Sequence, residues 1–139
     1  MTARIVLDAA AFDVLDTVAG AELRGLIRRA SARGTDTYCA AVTLAEVCRG
    51  TPRTRRIEVS LARDRGGRRI RVVPTDEQLA KLVGAILNDT KRDSEHIADA
   101  HVVAVCTGAE RAVVITADPD DIAALAVAVP GVRIVTRKS

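Results

Sequence analysis

The stretch Ala112-Val113-Val114-Ile115-Thr116-Ala117-Asp118-Pro119-Asp120-Asp121-Ile122 decides how the chain is read. Its apolar, β-branched first half fits a strand buried on both faces. The second half is an acidic knot at the start of a predicted helix. Pro119 suits the first helical position, where a missing N–H costs nothing, and Asp118 becomes the N-cap. Asp120 and Asp121 then fall in the first turn, where the helix dipole favours negative charge. Such a strand–turn–helix delivers carboxylates to the C-terminal edge of a sheet, where open α/β sheets hold their ligands. On a purely structural reading, the same acids only cap a helix.

Strand and helix signals alternate on either side of this stretch. Residues 4–8, Arg4-Ile5-Val6-Leu7-Asp8, form a short buried-strand signal that ends in an acid. Helices are predicted over residues 9–18 and 21–32, the second with Leu23, Leu26, Ile27 and Ala30 on one face and Gly34 as its stop. A weaker strand covers 37–42. Thr43-Leu44-Ala45-Glu46 has the spacing of a capping box, which would give Glu46 a complete structural role. A helix over 54–64 ends at Gly66-Gly67, a strand over 69–73 is closed by Pro74, and 76–87 carries a clear helical stripe. The helix over 94–106 is almost wholly apolar after His96. A helix over 120–129 and a strand over 132–135 complete the chain. The alternation implies an α/β fold, with a short parallel sheet of about five strands flanked by helices on both faces.

The composition bounds the function. At 139 residues the chain fits one domain, 1–139, large enough to bury roughly two-thirds of its unfolded surface. Only Phe12 and Tyr38 are aromatic, so Ala, Val, Leu and Ile must build the core. A net charge of +3 does not by itself indicate nucleic acid. The distribution says more: Arg53, Arg55, Arg56, Arg63, Arg65, Arg68, Arg69 and Arg71 crowd into one region, a solvated face or a site for phosphates or an acidic partner. Cys39, Cys48 and Cys106 are odd in number and lack metal-type spacing, as expected of reduced thiols in a cytoplasmic protein. No signal-peptide pattern is visible before Asp8, and no apolar run reaches membrane-spanning length.

The remaining acids tie the pattern together. Asp99 lies in His96-Ile97-Ala98-Asp99-Ala100-His101, a helix with little polar company, where an isolated carboxylate is costly. It needs an Arg, a set of N–H donors or a cation. Asp8 and Asp118 both follow buried strands, and Glu46 lies one turn into the helix after another. In a parallel sheet these three converge on one edge, within reach of Asp99. Close carboxylates repel by several kcal/mol at intermediate dielectric, so either their pKa values rise or a cation compensates. An all-oxygen site without His or Cys suits Mg²⁺ or Mn²⁺.

The order Ile5-Val6-Leu7-Asp8-Ala9, Thr43-Leu44-Ala45-Glu46-Val47, Ile97-Ala98-Asp99-Ala100 and Val114-Ile115-Thr116-Ala117-Asp118 resembles the PIN-domain ribonucleases, and among them the VapC-type toxins of bacterial toxin–antitoxin pairs. The resemblance spans essentially the whole chain. It implies a deep acidic pocket, Mg²⁺- or Mn²⁺-dependent cleavage of RNA, a cognate VapB-type antitoxin, a cytoplasmic setting and a homodimer. Carried over by position, Asp8, Glu46, Asp99 and Asp118 match the four acids of that pocket as catalytic and metal-holding residues, Glu46 directly or through water. Asp121 matches an auxiliary acid, and Thr116 the hydroxyl residue before the fourth. Ala10 departs from the pattern, standing where the family often has Ser or Asn. Asp93, His96 and His101 are read as surface or structural residues. Two rivals are a PIN-like scaffold that binds without cleaving and a response-regulator-like domain, which needs a Lys after a late strand where only Lys138 follows. A dinucleotide-binding reading fails because Ala9-Ala10-Ala11 replaces a Gly-rich turn.

Overall fold

In the computed structural model, which describes residues 2–139, five strands form one sheet in the order β3-β2-β1-β4-β5, every pair parallel. They are β1 (Ala3–Leu7), β2 (Asp36–Ala40), β3 (Arg71–Val73), β4 (Arg111–Thr116) and β5 (Arg133–Lys138). Between them run α1 (Ala9–Val14), α2 (Ala21–Ala32), α3 (Ala41–Val47), α4 (Thr51–Ala62), α5 (Glu77–Asp89), α6 (Ile97–Cys106) and α7 (Pro119–Ala126), with single 3₁₀ turns at Val18–Gly20 and Ser94–His96. The fold class read from the sequence holds.

Strand alternation sorts the core into two layers. Ile5, Leu7, Cys39 and Ile115 face α1 to α4, where they pack with Ala11, Phe12, Leu15, Ile27, Val47 and Ile57. Val6, Ala40, Ala112 and Val114 face the other way, onto α5, α6 and α7. Helix α6 is buried from Ala100 to Cys106, which explains its nearly continuous apolar run. Its C-terminal end is held by Arg4, whose Nη1 donates to the Val105 carbonyl at 2.8 Å while the guanidinium stacks 4.1 Å over the Tyr38 ring. Among the described residues no helix is long and apolar enough to cross a membrane. The three cysteines are unpaired, and burial pushes the Cys39 and Cys106 thiols up to about 12, leaving them inert.

Several boundaries differ from the sequence reading, each for a local reason. Helix α1 ends at Val14 and not at 18. The Thr17 hydroxyl takes the Val14 carbonyl, and Arg24 Nη1 takes those of Leu15 and Thr17, so three carbonyls that would continue the helix are already bonded. Helix α4 begins at Thr51, earlier than 54, on a turn that Gly50 makes at φ 83 and with Pro52 in its first turn. Strand β5 runs on to Lys138, because backbone pairing with β4 continues through Thr116↔Lys138 although its side chains turn polar. The capping box is the clearest correction. β2 turns directly into α3, whose N-cap is Ala40 with no side-chain cap bond, so Thr43 lies inside the helix, fully buried and with its hydroxyl unpartnered. Glu46 therefore has no capping role.

Two glycines separate close packing from conformational cost. A Cβ at Gly20 would lie 1.9 Å from the Val14 carbonyl oxygen, whereas one at Gly84, in the exposed face of α5, meets nothing within 4 Å. Gly20→Ala should lower stability by about 2 kcal/mol or more through forced backbone movement, and Gly84→Ala should raise it by about 0.5–1 kcal/mol. Urea unfolding of both variants measures the two effects, and equal shifts would contradict this packing.

Candidate functional site

Strand order makes the site before any side chain does. The chain winds from β1 to β2 and β3, returns to the far side of β1 as β4, and continues to β5. The direction therefore reverses between β1 and β4, and the carboxyl ends of two such strands leave a crevice. Asp8 follows β1 and Asp118 follows β4, so both acids stand at this reversal.

Asp8 is held on every side. Only 7% of it is exposed, and it serves as N-cap of α1, Oδ1 accepting the Ala9 N–H at 2.8 Å. Its own N–H donates to the Ile115 carbonyl across the strand pair. Oδ2 accepts the hydroxyl of the fully buried Thr116 at 2.8 Å, and the same hydroxyl accepts the Asp118 N–H at 3.0 Å. One oxygen thus joins the two acid-bearing loops. It also supplies to Asp8 the hydrogen bond that Ala10 lacks.

Asp118 occupies the N-cap position of α7, as the sequence suggests, but its carboxylate makes no cap bond and is exposed. Pro119 stands in the first turn as expected. The Asp118 carboxylate is left free for other partners. Asp121 is half-buried in that turn and Asp120 is exposed. Asp99 is not in a helix interior: the 3₁₀ turn at Ser94–His96 absorbs the start of the expected helix, so Asp99 lies in the first turn of α6. Glu46 sits at the solvent-facing side of α3, which packs on both α1 and α6.

The charges of these residues act on one another. Burial, then the charges of Asp8, Asp121 and Asp118, push the Asp99 carboxyl up to about 6 against a small opposing pull from His96. Glu46, although exposed as a residue, is raised by desolvation of its carboxyl and by the charges of Asp8 and Asp99, with Arg49 opposing. Five acids from four parts of the chain therefore share one electrostatic neighbourhood. Among the described residues no three His, Cys, Asp or Glu side chains already stand close enough together to form a metal centre. The acid set is oxygen-only and mutually repelling, a donor chemistry that fits a hard divalent cation. Asp93 and Asp120 are exposed and do not contribute to this field. His101 is buried with Nδ1 bonded to the Ile97 carbonyl, a structural placement.

The arginine-rich region divides in a way that the sequence does not reveal. Arg53 pairs with Asp13 at 2.5 Å and donates to the Val47 carbonyl. Arg63 and the 4%-exposed Arg65 both bind Asp16, which also accepts the Ser60 hydroxyl. Burial raises the Asp16 pKa, but the bonds from Arg65 and Ser60 and the charges of Arg65 and Arg63 outweigh it and hold the carboxyl below its usual range. Arg68 and Arg71 bind Asp36. Much of the cluster is therefore internal scaffolding. Arg55 and Arg56 have no carboxylate partner among the described residues and line a groove of about 510 Å³ between α1 and α4, with Phe12, Ile57 and Val59 as its apolar lining. No local signal marks Asp16, because its partner Arg65 lies 49 residues away.

The Asp99 shift has a definite pH signature. Its ordinary value is 3.8 and its folded value about 6, so the unfolded chain releases the proton first as pH rises. The metal-free protein loses stability from this group across pH 3.8 to about 6, with no contribution below that window and the full penalty above it. Asp99→Asn cannot ionise. Its melting temperature should exceed that of the wild type by a margin that opens between pH 4 and 6 and then stays flat. Thermal melts in EDTA across this range test it; a constant margin would remove Asp99 from the cluster's repulsion.

The comparisons with known proteins agree with this architecture. A family model described as "PIN domain" matches residues 5–128. No curated protein matches the chain by sequence. Among solved structures, a chain in the crystal structure of VapBC2 from Rickettsia felis bound to a DNA fragment from their promoter superposes with a TM-score of 0.66 at 9% identity, covering 96% of this chain and 98% of that one. That likeness is one of fold, whereas the family match covers most of the sequence, from inside β1 to just past α7, including every acid of the cluster. The chain belongs to the PIN-domain family.

Proposed function

We propose that this PIN domain is a divalent-metal-dependent endoribonuclease and the toxin of a VapC-type toxin–antitoxin pair. The observation that carries the reading is the gathering of Asp8, Glu46, Asp99, Asp118 and Asp121 at the strand reversal, with the Asp99 carboxyl half-buried among like charges. Family membership favours nuclease chemistry over the response-regulator alternative.

In this reading Asp8, Asp99 and Asp118 would hold one or two Mg²⁺ or Mn²⁺ ions, with Glu46 directly or through a water and Asp121 as an auxiliary. A bound ion would supply positive charge for the developing oxyanion and would lower the pKa of a water nucleophile. The chain's own contribution is orientation. The Thr116 hydroxyl fixes the Asp8 carboxylate and spaces it from the Asp118 loop. Asp99 presents its carboxylate from the first turn of a helix that is buried from Ala100 onward, and a cation would draw the acids the rest of the way together. Glu46, exposed on α3, would take the proton from an attacking water.

For the partner we assign the α1–α4 groove to an acidic, amphipathic segment of a VapB-type antitoxin. Its apolar side would meet Phe12, Ile57 and Val59, and its carboxylates would meet the free Arg55 and Arg56. The similar structure that contains VapBC2 favours a partner of that kind. We also keep the homodimer as a proposal.

Purified protein freed from antitoxin should cleave single-stranded RNA with Mg²⁺ or Mn²⁺ and not in EDTA, and Mn²⁺ should raise its melting temperature by several degrees. Full cleavage with metal rigorously removed would sink the mechanism. Asp99→Asn should abolish both effects while leaving the fold at least as stable, because one like charge is gone. Glu46→Gln should cut the rate by about 10²-fold or more with the fold intact, as it removes a general base and no cap; wild-type activity would deny it that role.

The acidic knot gives a separate comparison. Asp118→Asn should leave metal-free stability nearly unchanged, since the Asp118 carboxylate makes no cap bond, yet eliminate cleavage and Mn²⁺-induced stabilisation. Asp121→Asn should weaken both and Asp120→Asn neither. Three variants that behave alike in cleavage and melting assays would return the knot to a purely structural role.

A further inference from the structure

An acid cluster repels a polyanion, so an RNA held at this edge needs fixed cations beside the cluster as well as any metal in it. Most arginines are unsuited. Arg53, Arg63, Arg65, Arg68 and Arg71 are spent in ion pairs, and Arg137 is bound to Glu22. Arg69 precedes β3 and lies at the opposite, amino edge of the sheet, while Arg55 and Arg56 face the α1–α4 groove. Arg49, just past α3, and Lys138, the last residue of β5, are exposed and have no carboxylate partner among the described residues; Lys91, in the loop that leads to α6, is another such cation.

Register places Lys138 beside the acids. It pairs with Thr116 in a parallel ladder, where paired residues share a face, and the ladder continues as the Ser139 N–H donates to the Thr116 carbonyl. Thr116 on that face holds both Asp8 and the Asp118 loop. On β5 itself Ile134 packs into the α5–α7 layer, so by alternation Lys138 belongs to that side, and Arg137 to the side of Glu22. Arg49 follows Glu46 by three residues, just past the C-terminal end of α3, and is exposed. Across the edge Asp8 after β1, Asp118 after β4 and Lys138 on β5 follow in order, and Arg49 lies past α3 on the side of Glu46. The two interstrand steps of about 4.8 Å from β1 to β5 put Lys138 roughly 10 Å from Asp8 along the edge.

We propose that single-stranded RNA crosses the carboxyl edge of the sheet at right angles to the strands, its phosphates on either side of the scissile one seated on Arg49 and Lys138. The assignment rests on the nuclease reading for the scissile phosphate alone. The two cations are positioning residues: they set where the backbone lies and take no part in bond cleavage.

The test separates the track from the chemistry. A labelled single-stranded RNA oligonucleotide is titrated into the Asp99→Asn full chain over a salt series, followed by fluorescence anisotropy. Adding Lys138→Ala or Arg49→Ala should weaken binding about fivefold to tenfold each, and each should flatten the log Kd against log salt slope by about 0.7. Lys138→Arg and Arg49→Lys should restore both quantities, and Arg69→Ala should change neither. In the active chain, Lys138→Ala should raise KM and leave kcat within about threefold. Lys138→Ala and Arg49→Ala variants that match Arg69→Ala in affinity and slope overturn the track, even if wild-type protein cleaves RNA. Weakened binding with an unchanged salt slope and a lowered melting temperature also overturns it, in favour of a structural role. The predicted slope changes in a wild-type chain that never cleaves RNA would keep the track and discard the nuclease.

Discussion

The pairing of β1 with β4 is the constraint on which the rest of the structure depends. In its register Leu7 faces Ile115, which sets Asp8 against Thr116 at the ends of the two strands. The Thr116 hydroxyl can then donate to one acid and accept the backbone N–H of the other. A slip of one residue would turn Thr116 to the opposite face and separate it from Asp8. The same register divides Ile115 and Val114 between the two core layers, so the buried side chains of both layers enforce the geometry of the acids.

Charge is distributed unevenly over this frame. Acids collect at the carboxyl edge, where they raise one another's pKa values, and arginines collect along α4 and the loop that follows it. Each arginine ion pair in that region joins segments far apart in sequence: Arg53 to α1, Arg65 to Asp16 just beyond α1, Arg68 to the start of β2. Arg65 is the most consequential of these, because it is buried, and its loss would leave Asp16 with only the exposed Arg63 and the Ser60 hydroxyl. The exposed pairs contribute little individually. Stability in this region comes from one buried network more than from the number of arginines.

Helix α6 connects core to site. Its middle and end are packed between the sheet and α5, and Arg4 bonds its last turn, so packing at the far end sets where its N-terminal turn lies. Asp99 sits in that turn. A carboxylate so placed gains from the helix dipole and loses through desolvation and like charges, and the elevated pKa shows that the losses prevail. The protein thus holds in place a group that the metal-free fold would prefer to neutralise.

The sequence by itself determined the layers, the alternation and the acids. β-branched runs and 3.6-residue stripes are local patterns; Asp99 stands out as a carboxylate in an apolar helix, and Asp8 and Asp118 as acids that end buried-strand signals. It also suggested two caps that geometry refused. Thr43 and Glu46 have capping-box spacing, but the helix starts at Ala41, and whether a strand turns at once into a helix depends on what the turn packs against. Asp118 stands at a cap position with its carboxylate directed elsewhere. Tertiary structure alone decided the strand order, which brings residues 8 and 118 to one crevice, and the division of the arginines between scaffold and surface. Both depend on contacts across dozens of residues, and no local pattern carries information about which distant partner a charge or an edge will find. Lys138 shows this most simply: in sequence it is one cation in a polar tail, and only the parallel register with Thr116 sets it beside the acids.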